Sequence, residues 1–280
     1  MPAEKNNTIK KNITKKNIIK KNPADGLPTA APEIIWESND YLVIDKPAGL
    51  AVHGGGNIKE LTLVDWLVKK YPKIKKVGDD SSRPGIVHRL DKDVSGLMVI
   101  AKSQTSFESL KNQFKIREIN KEYIALVHGR LDSDEGEINF PIKRASAGYK
   151  MAALPLQAAD LLSRRHPKDR DRGNIDGVFQ AKEALTEFKV IKRFVNYTLV
   201  NVKIKTGRTH QIRVHFCAIG HPLVGDDLYG TKKTKSINKK LNLGRVFLMS
   251  SRLLFVDLKG EAKEFFRELP ADLVAHLPRN

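Results

Sequence analysis

The sequence predicts an α+β fold. Short apolar runs with strand character recur at residues 34–37, 41–45, 96–102, 121–128, 186–205 and 245–257. Stretches with helical apolar spacing fall between them at 61–70, 103–117 and 209–219. The two kinds mix without the strict alternation of a doubly wound sheet, and no internal repeat is visible. The 280 residues suffice for one large domain or two modest ones.

Each element has a local cause. Residues 34–37 (IIWE) and 41–45 (YLVID) read as strands around a Ser-Asn-Asp turn, and Lys46-Pro47-Ala48-Gly49 breaks the second. Residues 61–70 suit a short helix that Pro72 stops. Residues 96–102 (GLMVIAK) form an apolar strand, and 103–117 a helix with Ser103 as its cap. Residues 121–128 (KEYIALVH) alternate as a strand, and 186–205 hold two strands joined through Val195 and Asn196. Residues 209–219 suit a helix capped by Thr209 and stopped by Gly220, with Ile212, Phe216 and Ile219 on one face. Residues 1–30 read as a basic, disordered tail ahead of a domain covering 31–280, and most of 152–180 reads as a loop-like insertion.

Charge narrows the function classes. Fifty Lys+Arg against 32 Asp+Glu give +18; the first 22 residues carry +6, leaving +12 on residues 23–280. The globular part is therefore basic in its own right, which favours a polyanionic partner. The lone cysteine, Cys217, excludes an internal disulfide and a thiolate zinc cluster and suits a reducing cytoplasm. No apolar run approaches the ~20 residues a bilayer span needs. No signal core is evident, and the first arginine is Arg83, unlike an Arg-rich transit peptide. A cytoplasmic location without membrane association is expected.

The sharpest motif runs from Arg83 to Lys102. His88, Arg89, Asp91, Lys92 and Asp93 crowd into six positions between a Pro-Gly turn and an apolar strand. A loop so placed can aim side chains into a cleft from a rigid scaffold. Two look-alikes fail. Gly96 to Ser103 lacks the second glycine of a phosphate-binding loop and reads as a strand; His88-Arg89-Leu90-Asp91 reverses the Leu-Asp order of a kinase catalytic loop. His210 and His215 are five apart, which does not give the shared helical face of an i, i+4 metal pair. No metal is expected.

HRLDKDVSGLMVIAK resembles the signature of the RluA-type RNA pseudouridine synthases. Three further segments agree in order: Asp45 to His53, Lys121 to Gly129, and Lys205 to Phe216 running on to Tyr229. Together they cover roughly 34–275. The resemblance implies a mixed, mainly antiparallel central sheet flanked by helices, with a basic cleft. It implies isomerisation of uridine to pseudouridine in structured RNA, ribosomal RNA before transfer RNA, a rearrangement that needs no cofactor; no DNA partner and a monomer are expected.

The resemblance also implies residue roles. Asp91 is the indispensable carboxylate, attacking the ribose or removing a sugar proton; either role needs it ionised in a desolvated cleft, hence beside a cation. Arg213 is the implied cation, with Arg208 nearer the RNA backbone. Tyr123 packs on the target base, and Ile212 is a candidate for its other face. Arg89 resembles the arginine that enters the space left by the extruded uridine. His88, His210, Gln211 and Lys205 complete the expected RNA contacts, with Lys102, Lys203 and the lysines of 232–240 neutralising phosphates from a solvated loop. Asp93 is a candidate for orienting groups within the active loop.

Three departures stand out. Many members begin with a small S4-type RNA-binding domain, which 30 residues cannot hold, so targeting is expected to use the catalytic domain, the insertion or the tail. The 152–180 segment is long for its place. Met249 occupies a position where the pattern has histidine. A non-catalytic RNA-binding or ribosome-assembly factor shares the basic charge and is the alternative; a hydrolase using Asp91 and water is a weaker one.

Overall fold

A computed structural model describes residues 31–54, 60–145, 148, 150–154 and 181–278. The expected tail at 1–30 and nearly all of the expected insertion at 152–180 lie outside the described residues.

The chain forms strands β1 (Glu33–Glu37), β2 (Tyr41–Lys46), β3 (Ser95–Ala101), β4 (Asn120–His128) and β5 (Glu135–Ile138). It continues through β6 (Ile142–Arg144), β7 (Met151–Ala153), β8 (Thr186–Arg193), β9 (Tyr197–Ile204), β10 (Leu248–Val256) and β11 (Ala262–Phe266). Helices are α1 (Leu63–Lys70), α2 (Gln104–Lys115), α3 (Gln211–Ala218), α4 (Lys232–Leu241) and α5 (Ala271–Val274). A nine-stranded sheet runs β1-β2-β3-β10-β4-β9-β8-β5, with β11 also pairing to β10. Every pairing is antiparallel except β3 with β10. β6 and β7 form a separate two-stranded sheet.

The strong strand signals coincide with what forms. β3 is buried at all seven positions, so it reads as a continuous apolar run rather than an alternation. α1 is opened by a capping box between Thr62 and Asp65, and Ser103 caps α2 through the Ser106 N–H. β4 buries both faces at its C-terminal half: Tyr123, Ala125 and Val127 join the main core, while Leu126 joins a second cluster with Phe247, Met249 and Leu273. Met249 is thus an apolar core residue.

Three local expectations are corrected. Thr209 does not cap α3; the N-cap is His210, in a left-handed conformation at φ 56°, without a side-chain cap bond. Residues 232–240 are not a loop: α4 forms because Thr231 caps it and Asn238 gives it one buried anchor among its lysines. The short strands β5, β6, β7 and β11 carry too few apolar residues for a sequence signal; pairing with partners forms them.

Candidate active site

The site is assembled from four separated segments. Asp91 lies on the loop that leads into β3. That loop is clamped from behind by the first motif. The Lys46 ammonium, buried completely, donates to the carbonyls of Pro47 and Leu50 at 2.8 Å and of Lys92 at 3.2 Å, and the Gly49 N–H also donates to the Lys92 carbonyl. The residue next to Asp91 therefore has its backbone held by two donors.

Arg213, on α3, brings the cation. Its Nη1 lies 3.3 Å from Asp91 Oδ2. Its other edge forms a two-pronged pair with Asp226: Nε to Oδ2 at 2.7 Å and Nη2 to Oδ1 at 2.9 Å. Asp226 is completely buried and its Oδ1 also accepts from the backbone N–H groups of Leu228 and Tyr229. Burial works against the arginine's charge, but Asp226 and Asp91 more than offset it, and the guanidinium pKa is raised. Asp226 was not singled out from sequence, where Asp226 and Asp227 stand side by side in one motif; only burial separates them.

Tyr123 sits on central β4 with Ser250 opposite on β10. Burial, then the Asp91 charge, pushes its phenol up, so the hydroxyl stays protonated at neutral pH. His210 reaches in two directions: Nδ1 lies 2.8 Å from the Tyr229 hydroxyl and Nε2 3.8 Å from Asp91 Oδ2. Burial pushes its pKa down. The Tyr229 ring stacks against Arg213 with 5.2 Å between Cζ and the ring centre.

These groups open onto one cleft of about 500 Å³, a size suited to a small-molecule or nucleotide group. All ten site residues expected from sequence line it: Asp91, Tyr123, Arg213, Arg89, His88, Ile212, Arg208, His210, Gln211 and Lys205. Its wall carries eight Lys/Arg side chains and one carboxylate, Asp91. Such a lining attracts a polyanion.

Lining is not the same as availability, and some side chains are already engaged. Gln211 spends its amide internally: the carbonyl accepts from Thr206 Oγ1 and the Arg208 N–H, and Nε2 donates to the Leu185 carbonyl and Thr186 Oγ1. It shapes the 205–210 loop and has no donor left for RNA, a correction to the expected contact. His88 Nε2 accepts the Val99 N–H at 3.0 Å and its ring stacks on Phe114, so one nitrogen belongs to the fold. Lys102 is also lost as a phosphate ligand, since it pairs with Glu37 at 2.7 Å and with the Ser38 carbonyl. His215 is fully buried between Thr186 Oγ1 and the Phe140 carbonyl, a structural histidine. Arg89, in contrast, is exposed and has no hydrogen-bond or ion-pair partner among the described residues.

The family described as RNA pseudouridylate synthase matches residues 40–218, which hold the Asp91 loop, Tyr123 and Arg213. The chain belongs to the RNA pseudouridylate synthase family. Enzymes of that family isomerise an RNA uridine to pseudouridine. The chain is 43% identical over 222 residues to an uncharacterized RNA pseudouridine synthase of Aquifex aeolicus, covering 78% of this chain and 62% of that one. It is 35% identical over 250 residues to the ribosomal large subunit pseudouridine synthase D of Yersinia pestis, covering 86% of this chain and 68% of that one. The fold is similar to human RNA pseudouridylate synthase domain containing 1, with a TM-score of 0.64 and 25% identity, covering 89% of this chain and 87% of that one. Among the described residues no helix is long and apolar enough to cross a membrane, and no cluster of His, Cys, Asp or Glu could hold a metal.

Proposed function

We propose that this pseudouridine synthase acts on ribosomal RNA, with Asp91 as the carboxylate at the reacting sugar. The observation that carries the reading is Asp91 itself: the only carboxylate lining a cationic cleft among the described residues, 3.3 Å from a guanidinium that Asp226 holds in place. The name of the Yersinia pestis relative, a large-subunit ribosomal RNA enzyme, favours ribosomal over transfer RNA.

The chemistry fits these groups. The bond from ribose C1′ to uracil N1 breaks, the base turns, C5 bonds to C1′, C5 gives up its proton, and the freed N1 takes one up. Substrate and product are isomers, so the step balances without an oxidant or a donated group. Asp91 serves by attacking the sugar or by removing a sugar proton, and Arg213 stabilises its negative charge either way. The Tyr123 ring packs on the base and its neutral hydroxyl faces the reacting atoms, with Ile212 on the other side. Arg89 enters the stack that the uridine leaves, where a guanidinium plane can stack on bases. His210, Arg208 and Lys205 face the flanking backbone. One chain carries every one of these groups, so a monomer suffices, and the lone cysteine suits a reducing cytoplasm.

The test is Asp91→Asn. The variant should fold and bind an in vitro transcript of large-subunit ribosomal RNA as the unmodified protein does, and form no pseudouridine in it. Substantial turnover by this variant would sink the assignment. Rescue of a deletion strain by Asp91→Asn would point instead to a non-catalytic ribosome-assembly role, and release of free uracil to a hydrolase.

A further inference from the structure

Three cations are buried among the described residues, and they are treated very differently: Lys46, Lys121 and Arg213. Lys46 has three carbonyl acceptors, and Arg213 has two carboxylates. Lys121 is 9% exposed, lines the cleft, and has no hydrogen-bond or ion-pair partner among the described residues. Its ammonium lies 5.1 Å from the centre of the Phe114 ring. A cation–π contact returns far less than a buried charge loses with its water.

The position is informative. Lys121 and Tyr123 are two residues apart on β4, so both side chains stand on the face that meets the cleft, about 6.6 Å apart along the strand. That is the length of a ribose and its ester linkage. The one carboxylate in the cleft, Asp91, is already bonded to Arg213. Among the described residues no carboxylate is left to neutralise Lys121, so the counter-charge is expected to arrive with the ligand.

We propose that Lys121 is the receptor for one backbone phosphate of the RNA, the phosphodiester beside the extruded uridine. The inference rests on the pseudouridine synthase reading and adds a defined contact to it. A compact ammonium suits a phosphate oxygen, and a water-poor site makes the contact stronger than those of surface lysines. The vacant cation is kept because it is neutralised only when RNA is seated.

Burial lowers the Lys121 ammonium to about 8, which supplies a pH readout. Of the other groups in the cleft, His88 is lowered to about 3, His53 and His210 are lowered below their usual range, and Tyr123 is raised, all outside a window of pH 7 to 9. Arg83, Arg89, Arg117, Arg208, Arg213, Lys115 and Lys205 share the lining. Lys46, lowered to about 7, titrates in the variant as well, so the difference between the two proteins isolates Lys121.

The experiment compares the unmodified protein with Lys121→Met and Lys121→Arg. Equilibrium binding to an in vitro transcript of large-subunit ribosomal RNA is measured against salt and pH, alongside turnover and thermal melts. For Lys121→Met the expected results are a melting temperature at or above that of the parent, KM and Kd raised about tenfold, and kcat within twofold. The slope of log Kd against log salt should fall by about 0.7–0.9, the value of one phosphate. The parent should lose affinity between pH 7 and 9 more steeply than Lys121→Met. Lys121→Arg should keep the parent's salt slope. An unchanged Kd and salt slope in Lys121→Met, or a loss confined to kcat, overturns the proposal. Binding is read without turnover, so a Lys121 effect in a protein that forms no pseudouridine would overturn the catalytic reading and leave the phosphate contact standing.

Discussion

Arg213 holds Asp226 with two nitrogens, at 2.7 and 2.9 Å, and offers Asp91 only the third, at 3.3 Å. The guanidinium is thus oriented by one carboxylate in order to serve another. Thirteen residues separate the first pair and 122 the second. Asp226 is a positioning residue, and its removal should misplace the cation rather than remove it.

Asp226→Asn keeps the shape and the oxygen that accepts from Leu228 and Tyr229, but removes the charge. Breaking a buried pair by removing one partner costs about 3–5 kcal/mol. Misplacement of a catalytic group by about 1 Å can cost about 100-fold in rate. Single-turnover assays at 15 °C should show kcat down by that order with RNA affinity little changed. A variant with normal kcat would show that Asp226 plays no part in placing Arg213.

Gly96→Ala tests the seam beneath the site. β3 and β10 meet in parallel at Gly96 and Ser250, and Ser250 also sits opposite Tyr123. A Cβ at position 96, where φ is +117°, would lie 2.2 Å from the Ser250 carbonyl oxygen and 2.6 Å from its nitrogen. Backbone cannot swing aside as a flexible side chain can. Overpacking of this kind costs about 1–3 kcal/mol or more, so the melting temperature should drop by several degrees and Tyr123 should lose its support. An alanine variant that melts with the parent would show that the two strands can separate freely.

His88 predicts an acid limb of stability. Burial, then the Lys121 charge, lowers its pKa to about 3, and its Nε2 accepts the Val99 N–H. The unfolded histidine takes up a proton near pH 6.5, so between about 3 and 6.5 the unfolded chain binds more protons. The contribution is fully present above pH 6.5 and is lost as pH falls, by up to about 1.4 kcal/mol per unit. His88→Gln can still accept from Val99 but cannot take the proton. Denaturant titrations from pH 7 to 4 should show a shallower decline for His88→Gln than for the parent; parallel declines would rule out this cause.

Arg89→Ala should leave the fold alone. The side chain is exposed and has no partner among the described residues, so the expected stability change is within about 0.5 kcal/mol. Affinity for ribosomal RNA should weaken about tenfold, or by about 1.4 kcal/mol, as a base-stacking arginine is lost. An unchanged Kd would place Arg89 away from the RNA.

The sequence alone determined the α+β class, the main strands, the basic charge and the loop bearing Asp91. Those features are local. An apolar run, a Thr62 or Ser103 cap, and an unbroken HRLD segment are legible because their causes lie within a few residues. Short β5, β6, β7 and β11 were not legible because their pairing partners supply what their composition lacks.

Tertiary structure alone decided which polar groups are spent and which are free. Gln211, His88 and Lys102 looked available for RNA, yet each already has a partner in the fold. Asp226 and Asp227 are chemically identical neighbours, but only Asp226 is buried against Arg213. Lys121 reads as one lysine among many until the cleft closes round it without a counter-charge. Burial and ion pairing depend on residues distant in the chain and brought close by the sheet, and the value of a charge is set by the water and partners that surround it.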